Sequence, residues 1–188
     1  REAQAMALLQ HPNVVAVHDV GTVDDRVWVA MEHVQGVTLR AWLAQAERGW
    51  RAVLEVMQAA ARGLGAAHAA GLVHRDVKPE NIMIGDDGRV RVMDFGLARA
   101  GDASHETTPV EVSRPSLLGS VLTHAGSVVG TPIYMAPEGL LGKATDARAD
   151  LFGWCVTCWE ALHGERPFAG ETLGELTRNV AAGRRRPP

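Results

Sequence analysis

The run His74-Arg75-Asp76-Val77-Lys78-Pro79-Glu80-Asn81, with Asp94-Phe95-Gly96 following after twelve further residues, constrains this chain more than any other feature. Between them lie two short β-like pieces, Asn81 to Ile84 and Val90 to Met93, joined by Gly85-Asp86-Asp87-Gly88, a turn composition. Two short strands with a tight turn can bring Asn81 and Asp94 together although thirteen positions separate them. A fold that does so gathers two carboxylates, an amide and a lysine at one place. Such a set can orient a hydroxyl, neutralise an anion and hold a hard cation through oxygen.

Periodicity gives the rest of the order. Glu2 to Gln10 predicts a helix with Ala3, Met6 and Ala7 on one face, stopped by His11-Pro12-Asn13. Val14 to Val20 and Val27 to Met31 read as a hairpin around a turn at Gly21 to Asp25, and Gly36 separates it from the next segment. The character then becomes helical. Leu39 to Gln45 is short and amphipathic, and Val53 to Ala69 is long, with Leu54, Met57, Ala61 and Leu64 as its apolar face and Gly71 as its cap. Gly101 to Ser127 reads as a mobile loop. Asp146 to His163 predicts an apolar central helix carrying Trp154 and Trp159, and Leu173 to Ala182 a last amphipathic one.

The net charge of −3 gives no global reason to expect nucleic acid, and Arg184 to Arg186 reads as a solvated loop. The longest apolar stretch, Leu151 to Leu162, is broken by Glu160 and is too short to span a bilayer. No signal-peptide pattern is present. Cys155 and Cys158 have C-x-x-C spacing but no second ligand pair, so they are expected as buried, reduced thiols.

A third block, Gly130-Thr131-Pro132-Ile133-Tyr134-Met135-Ala136-Pro137-Glu138, lies downstream in order. The three blocks together resemble the catalytic loop, metal loop and substrate-positioning segment of a eukaryotic-like protein kinase. Arg1-Glu2-Ala3-Gln4, His11-Pro12-Asn13-Val14-Val15 and Gly164-Glu165-Arg166-Pro167-Phe168 are most similar to bacterial Hanks-type serine/threonine kinases. The resemblance implies an α+β, protein-kinase-like fold with a mostly helical C-terminal lobe and a truncated β-rich N-terminal lobe. Residues 1–36 would be the N-lobe remnant with the hinge at its end, and residues 37–188 the C-lobe, short of its last helices. A complete kinase domain takes roughly 250 residues. The chain is therefore expected to be a fragment.

The same resemblance assigns roles. Asp76 would accept the proton of a protein hydroxyl, Lys78 would stabilise the γ-phosphate of ATP, and Asn81 and Asp94 would hold Mg2+. Lys78 and Thr131 point to serine or threonine as acceptor. Glu2 resembles the helix glutamate that pairs with the nucleotide-anchoring lysine, although neither Val-Ala-x-Lys nor G-x-G-x-x-G occurs in the chain. Met31, Glu32 and Val34 stand at the adenine-facing hinge, Met31 as gatekeeper and Met83 on the apolar floor, while Thr38 replaces the acidic residue many members use for ribose. Phe95 is expected against His74. Arg75 would receive a phosphate on the activation loop, Thr123 first and Ser127 second. Thr131 and Glu138 would position the substrate, and Asp150 would accept backbone N–H groups of the catalytic loop.

The expected partners are ATP and protein substrates, with no nucleic acid, a kinase homodimer for autophosphorylation, and a cytoplasmic kinase domain. Without Gly-rich loop and lysine, the chain by itself is expected to be inactive. Two rivals are a scaffold or pseudokinase, which would have lost Asp76, Asn81 or Asp94, and a small-molecule phosphotransferase, which would lack Lys78 and the 130–138 block. Neither loss is seen.

Overall fold

The structure, a computed structural model, describes residues 9–24, 26–95 and 131–187, with the side chains of Arg26, Val27 and Thr131 also left aside. Strands β1 (Val17–Val23) and β2 (Arg26–Met31) form an antiparallel hairpin. It extends further than the turn residues suggested. Gly21 faces Trp28 across the ladder, and a Cβ at Gly21 would lie 2.4 Å from the indole ring. Gly21 is thus a strand glycine that admits an aromatic neighbour, and the reversal falls at Asp24, whose φ is 47°. The expected helix at Glu2 to Gln10 lies outside the described residues except for Leu9 and Gln10, which are not helical.

A second sheet, order β3-β4-β5, is made from β3 (Gly36–Thr38), β4 (Ile82–Gly85) and β5 (Val90–Val92), all antiparallel. Asn81, expected as a strand residue, closes a 3₁₀ turn Pro79–Asn81 instead. Proline opens that turn because its fixed φ suits a first helical position. Helix α1 (Leu39–Gln45) starts from Thr38, whose hydroxyl accepts the Ala41 N–H at 3.2 Å. Helix α2 (Trp50–Ala69) begins three residues earlier than predicted, and the chain leaves it through Gly71 at φ 78°.

The buried stripe of α2 runs through Val53, Met57, Ala60, Leu64 and Ala67. Met57 and Leu64 were expected there, whereas Leu54 is half-buried and Ala61 exposed. Alanine on every face of this helix blurs the periodic signal. That stripe packs with Leu39, Leu72, Val77, Ile82, Val92 and Phe95 into the main core.

The remaining elements are a 3₁₀ turn Thr131–Tyr134, α3 (Pro137–Leu140), α4 (Ala147–His163) and α5 (Leu173–Ala181). Ile133, Tyr134, Leu140, Val156, Leu176 and Val180 make a second core. Asp146 caps α4 through its carboxylate, and the Trp154 indole donates to the Met57 carbonyl at 3.0 Å, fastening α4 to α2. Cys155 and Cys158 are free thiols, but Cys155 is exposed and Cys158 half-buried. An apolar run around the whole helix cannot reveal which face is covered. No described helix is long and apolar enough to cross a membrane. The class is α+β, as expected.

Candidate active site

The site hangs from one buried carboxylate. Asp150, in the first turn of α4, accepts the His74 N–H through Oδ2 at 2.7 Å and the Arg75 N–H through Oδ1 at 2.6 Å. His68 Nε2 lies 2.7 Å from Oδ2 as well. These bonds hold Arg75 in the left-handed region at φ 68°, a conformation that non-glycine residues adopt only when surroundings impose it. The loop from His74 is thereby turned so that Asp76 leaves it in a defined direction. Fixing backbone N–H groups was the role the resemblance gave to Asp150.

His74 ties this loop to the one bearing Asp94. Its ring is fully buried, Nε2 donates to the Met93 carbonyl at 2.8 Å, and Nδ1 accepts the Asp76 N–H at 3.2 Å. One donor and one acceptor make it the neutral tautomer. Burial pushes its pKa below 6.5, and the charge of Asp150, the Met93 carbonyl and the charge of Asp76 offset that only in part. Phe95 lies against the ring at 4.6 Å between centroids, as expected.

Asp76 is held from two sides. Lys78 Nζ donates to its Oδ2 at 2.6 Å, and Asn81 Nδ2 donates to Oδ2 at 3.1 Å and to the Asp76 carbonyl at 2.8 Å. The other oxygen, Oδ1, is buried and has no hydrogen-bond partner among the described residues. A carboxylate oxygen in that condition keeps its full capacity to accept a hydrogen bond.

The same bonds test the fit of a cation. Both Asp76 acceptors face the Asn81 amide, so its nitrogen points at Asp76 and its carbonyl oxygen is the atom left for a ligand. The Met93 N–H donates to the Asn81 main-chain carbonyl at 3.0 Å, which brings the backbone before Asp94 alongside Asn81. Asp94 is exposed and left-handed at φ 59°. Among the described residues no three His, Cys, Asp or Glu side chains converge as a metal cage. A cation here would take two protein oxygens and complete its shell from phosphate and water, which is how Mg2+ is usually bound. The residues fit it.

The hinge candidates lie at the end of β2 and just beyond. Met31 is half-buried, and Met83 in β4 lies opposite Thr38 and Arg91. The Glu32 N–H donates to the Ala16 carbonyl at 2.8 Å, so its carbonyl is the backbone group left to face a base. Val34 is half-buried next to it. Thr38 is engaged in capping α1. Glu138 sits in the first turn of α3, half-buried. Glu2, Thr123 and Ser127 lie outside the described residues, as does the Thr131 side chain.

One polar cluster was not foreseen. Tyr134 donates to Glu160 Oε2 at 2.5 Å, and Arg40 Nη1 reaches Glu160 Oε1 at 2.9 Å while its Nε reaches Glu80 at 2.9 Å. Arg40 also donates to the Tyr134 hydroxyl, and Arg166 approaches Glu160 at 3.6 Å. Burial and the Glu160 carboxylate push the Tyr134 phenol upward. Burial opposes the charge of Arg40, but Glu160 and Glu80 outweigh it and raise its pKa. Arg40 and Glu160 are 120 positions apart, so only the breaking of the apolar run by Glu160 hinted at the cluster. Tyr134 also shares a small concavity with Arg75, Asp76 and Val77, which sets the cluster beside the catalytic loop.

The family model for the protein kinase domain matches residues 1–184. Serine/threonine-protein kinase Pkn1 of Myxococcus xanthus is 38% identical over 191 residues, covering 100% of this chain and 25% of that protein. Serine/threonine-protein kinase PknA of Mycobacterium tuberculosis is 40% identical over 182 residues, covering 94% of this chain and 38% of that one. A crystal structure of the Mycobacterium tuberculosis PknI kinase domain superposes with a TM-score of 0.66 at 29% identity, covering 96% of this chain and 63% of the other. The chain thus spans between a quarter and two fifths of these curated relatives. With residues 1–184 of its 188 inside the family model, the chain belongs to the protein kinase domain family.

Proposed function

We propose that this chain carries the machinery for moving the γ-phosphate of ATP to serine or threonine hydroxyls of proteins. The observation that supports this most is Asp76, whose carboxylate is gripped through Oδ2 by Lys78 and Asn81 beside the strand that leads to Asp94. In this reading the Asp76 carboxylate accepts the proton of the acceptor hydroxyl. Lys78, whose Nζ lies 2.6 Å from Asp76 Oδ2, supplies a positive charge for the transferred phosphoryl oxygens. The Asn81 amide oxygen and Asp94 hold Mg2+. Protein kinases as a family use ATP with Mg2+, which supplies charge neutralisation at the phosphates. Met31 and Met83 flank the base, the backbone of Glu32 and Val34 meets it, and Glu2 belongs to the lysine-pairing helix. Thr131 and Glu138 position the protein substrate.

The division into a small lobe (1–36) and a large lobe (37–188), cytoplasmic placement, and a homodimer that phosphorylates itself belong to the same reading. So does control: Arg75 receives phosphate from the loop, on Thr123 first and Ser127 second. No G-x-G-x-x-G or Val-Ala-x-Lys run occurs in the 188 residues, and the chain alone is expected to transfer phosphate slowly. The test is radiolabelled transfer by the complete gene product, with this chain in parallel, followed by phosphoamino-acid analysis. Label on phosphoserine and phosphothreonine supports the reading. Label only on small hydroxyl compounds would make it a small-molecule phosphotransferase. ATP binding without transfer would make it a scaffold.

A further inference from the structure

Arg91 is a cation that the catalytic reading leaves without a task. It lies in β5 with a side chain only 8% exposed, and both terminal nitrogens are engaged. Nη1 and Nη2 donate to Oδ1 and Oδ2 of Asp87 at 3.1 and 2.7 Å, a two-pronged pair. Nη2 also reaches Glu32 Oε1 at 3.3 Å. Asp87 belongs to the turn between β4 and β5, whereas Glu32 directly follows β2. Gly85 makes room for the pair: a Cβ there would lie 2.5 Å from Asp87 Oδ1 and 2.9 Å from Arg91 Nη1.

Main-chain bonds run parallel to this bridge. The Asp86 N–H donates to the Gln35 carbonyl at 2.8 Å, so the segment 32–35 is tied to the same turn at its far end. At its near end, Glu32 Oε2 accepts the Ala16 N–H at 3.4 Å. Three residues beyond Arg91 stands Asp94. One guanidinium therefore connects the segment beside β2 to the strand that leads into the metal loop.

Stability is a poor reason for such an arrangement. Only the guanidinium is buried; the Asp87 and Glu32 side chains are 46% and 33% exposed, and ion pairs with solvent-exposed partners add little to stability. What a two-pronged bridge on a buried guanidinium can supply is a fixed geometry. A segment already ordered loses less freedom when a ligand docks against it. We propose that Arg91 is a positioning residue for nucleotide binding, holding the 32–35 segment in register with the strand that carries Asp94 by bridging Glu32 and Asp87. This rests on the reading of that segment as the adenine-facing hinge.

The experiment compares the wild-type chain with Arg91→Met, Arg91→Lys and Glu32→Gln by hydrogen exchange and by titration with ATP·Mg. The Glu32 and Asp86 amides should exchange about tenfold or more faster in Arg91→Met, with α2 and α4 amides unchanged, and Arg91→Lys should recover part of the protection. ATP·Mg affinity should fall by about 5- to 20-fold in Arg91→Met, less in Arg91→Lys. In the complete gene product the same loss should appear in KM for ATP with kcat held within about twofold. Glu32→Gln keeps the packing and should reproduce the exchange effect if Arg91→Met does not fold. Unchanged exchange at Glu32 and Asp86, or an acceleration spread evenly over all elements, would overturn the positioning role. If exchange responds as stated but wild-type protein binds no ATP·Mg, the hinge reading fails and the claim about nucleotide with it. If the wild type binds and Arg91→Met binds equally well, only the positioning role fails.

Discussion

Asn81 spends one side-chain amide on two acceptors of a single residue, the main-chain carbonyl of Asp76 at 2.8 Å and its Oδ2 at 3.1 Å. That pair of bonds does two things. It orients the Asp76 carboxylate, and it leaves the Asn81 side-chain oxygen as the atom that can take a ligand. The proposed proton acceptor and one proposed cation ligand are therefore positioned by one interaction, so that disturbing either reaches the other.

Two glycines of α2 should respond oppositely to alanine. A Cβ at Gly63 would stand 2.2 Å from the Asn13 carbonyl oxygen, whereas nothing lies within 4 Å of one at Gly65. Gly63→Ala should cost on the order of 1–3 kcal/mol through overpacking against backbone. Gly65→Ala should gain up to about 1 kcal/mol from helix propensity. Urea midpoints decide it, and shifts of the same sign would mean that residues 13–15 do not pack under α2 as described.

Stability should fall in mild acid because of His74. Its folded pKa lies below 6.5, so the unfolded chain binds the extra proton first. The contribution is fully present above pH 6.5 and is lost as pH drops from there toward the folded value. The limiting slope is about 1.4 kcal/mol per pH unit. Asp87 and Asp146, held low by Arg91 and Arg148, lose their contributions only as pH falls below 3.8. Unfolding measured between pH 7 and about 5 should show a slope that is reduced in His74→Gln.

Asp150→Asn keeps the shape and removes the charge that three donors share. An amide offers one acceptor and presents a donor to the remaining N–H. The expected loss is on the order of 3 kcal/mol, read from denaturant unfolding, with the His74 and Arg75 amides losing protection first. A loss below about 0.5 kcal/mol would mean that this carboxylate does not anchor the loop.

Much of this was legible in sequence where local chemistry sets the outcome. Leu39 to Gln45 follows a capping threonine and was bounded correctly. The turn between β4 and β5 has the residues its geometry needs. Helix α2 started early because Gly49 caps it without a side-chain bond, leaving no polar marker to read. Gly21 misled because glycine marks both turns and close approaches, and the reason for it is Trp28 across the ladder. Asn81 is a proposed ligand by resemblance alone, and its hold on Asp76 appears only once the 3₁₀ turn folds it back. The clusters around Glu160 and Arg91 join residues far apart in the chain, and no local pattern encodes them.

The central claim is that Asp76 acts on the acceptor hydroxyl while Asp94 acts on the bound metal and nucleotide. The most direct measurement sets transfer rate beside ATP·Mg affinity for wild type, Asp76→Asn and Asp94→Ala in the complete gene product. Asp76→Asn should lose about 10²- to 10⁴-fold in transfer, with nucleotide affinity within about twofold of wild type. Asp94→Ala should lose both, and its residual nucleotide binding should no longer depend on Mg2+. Equal nucleotide affinity in all three proteins, or transfer that survives Asp76→Asn, would contradict the account.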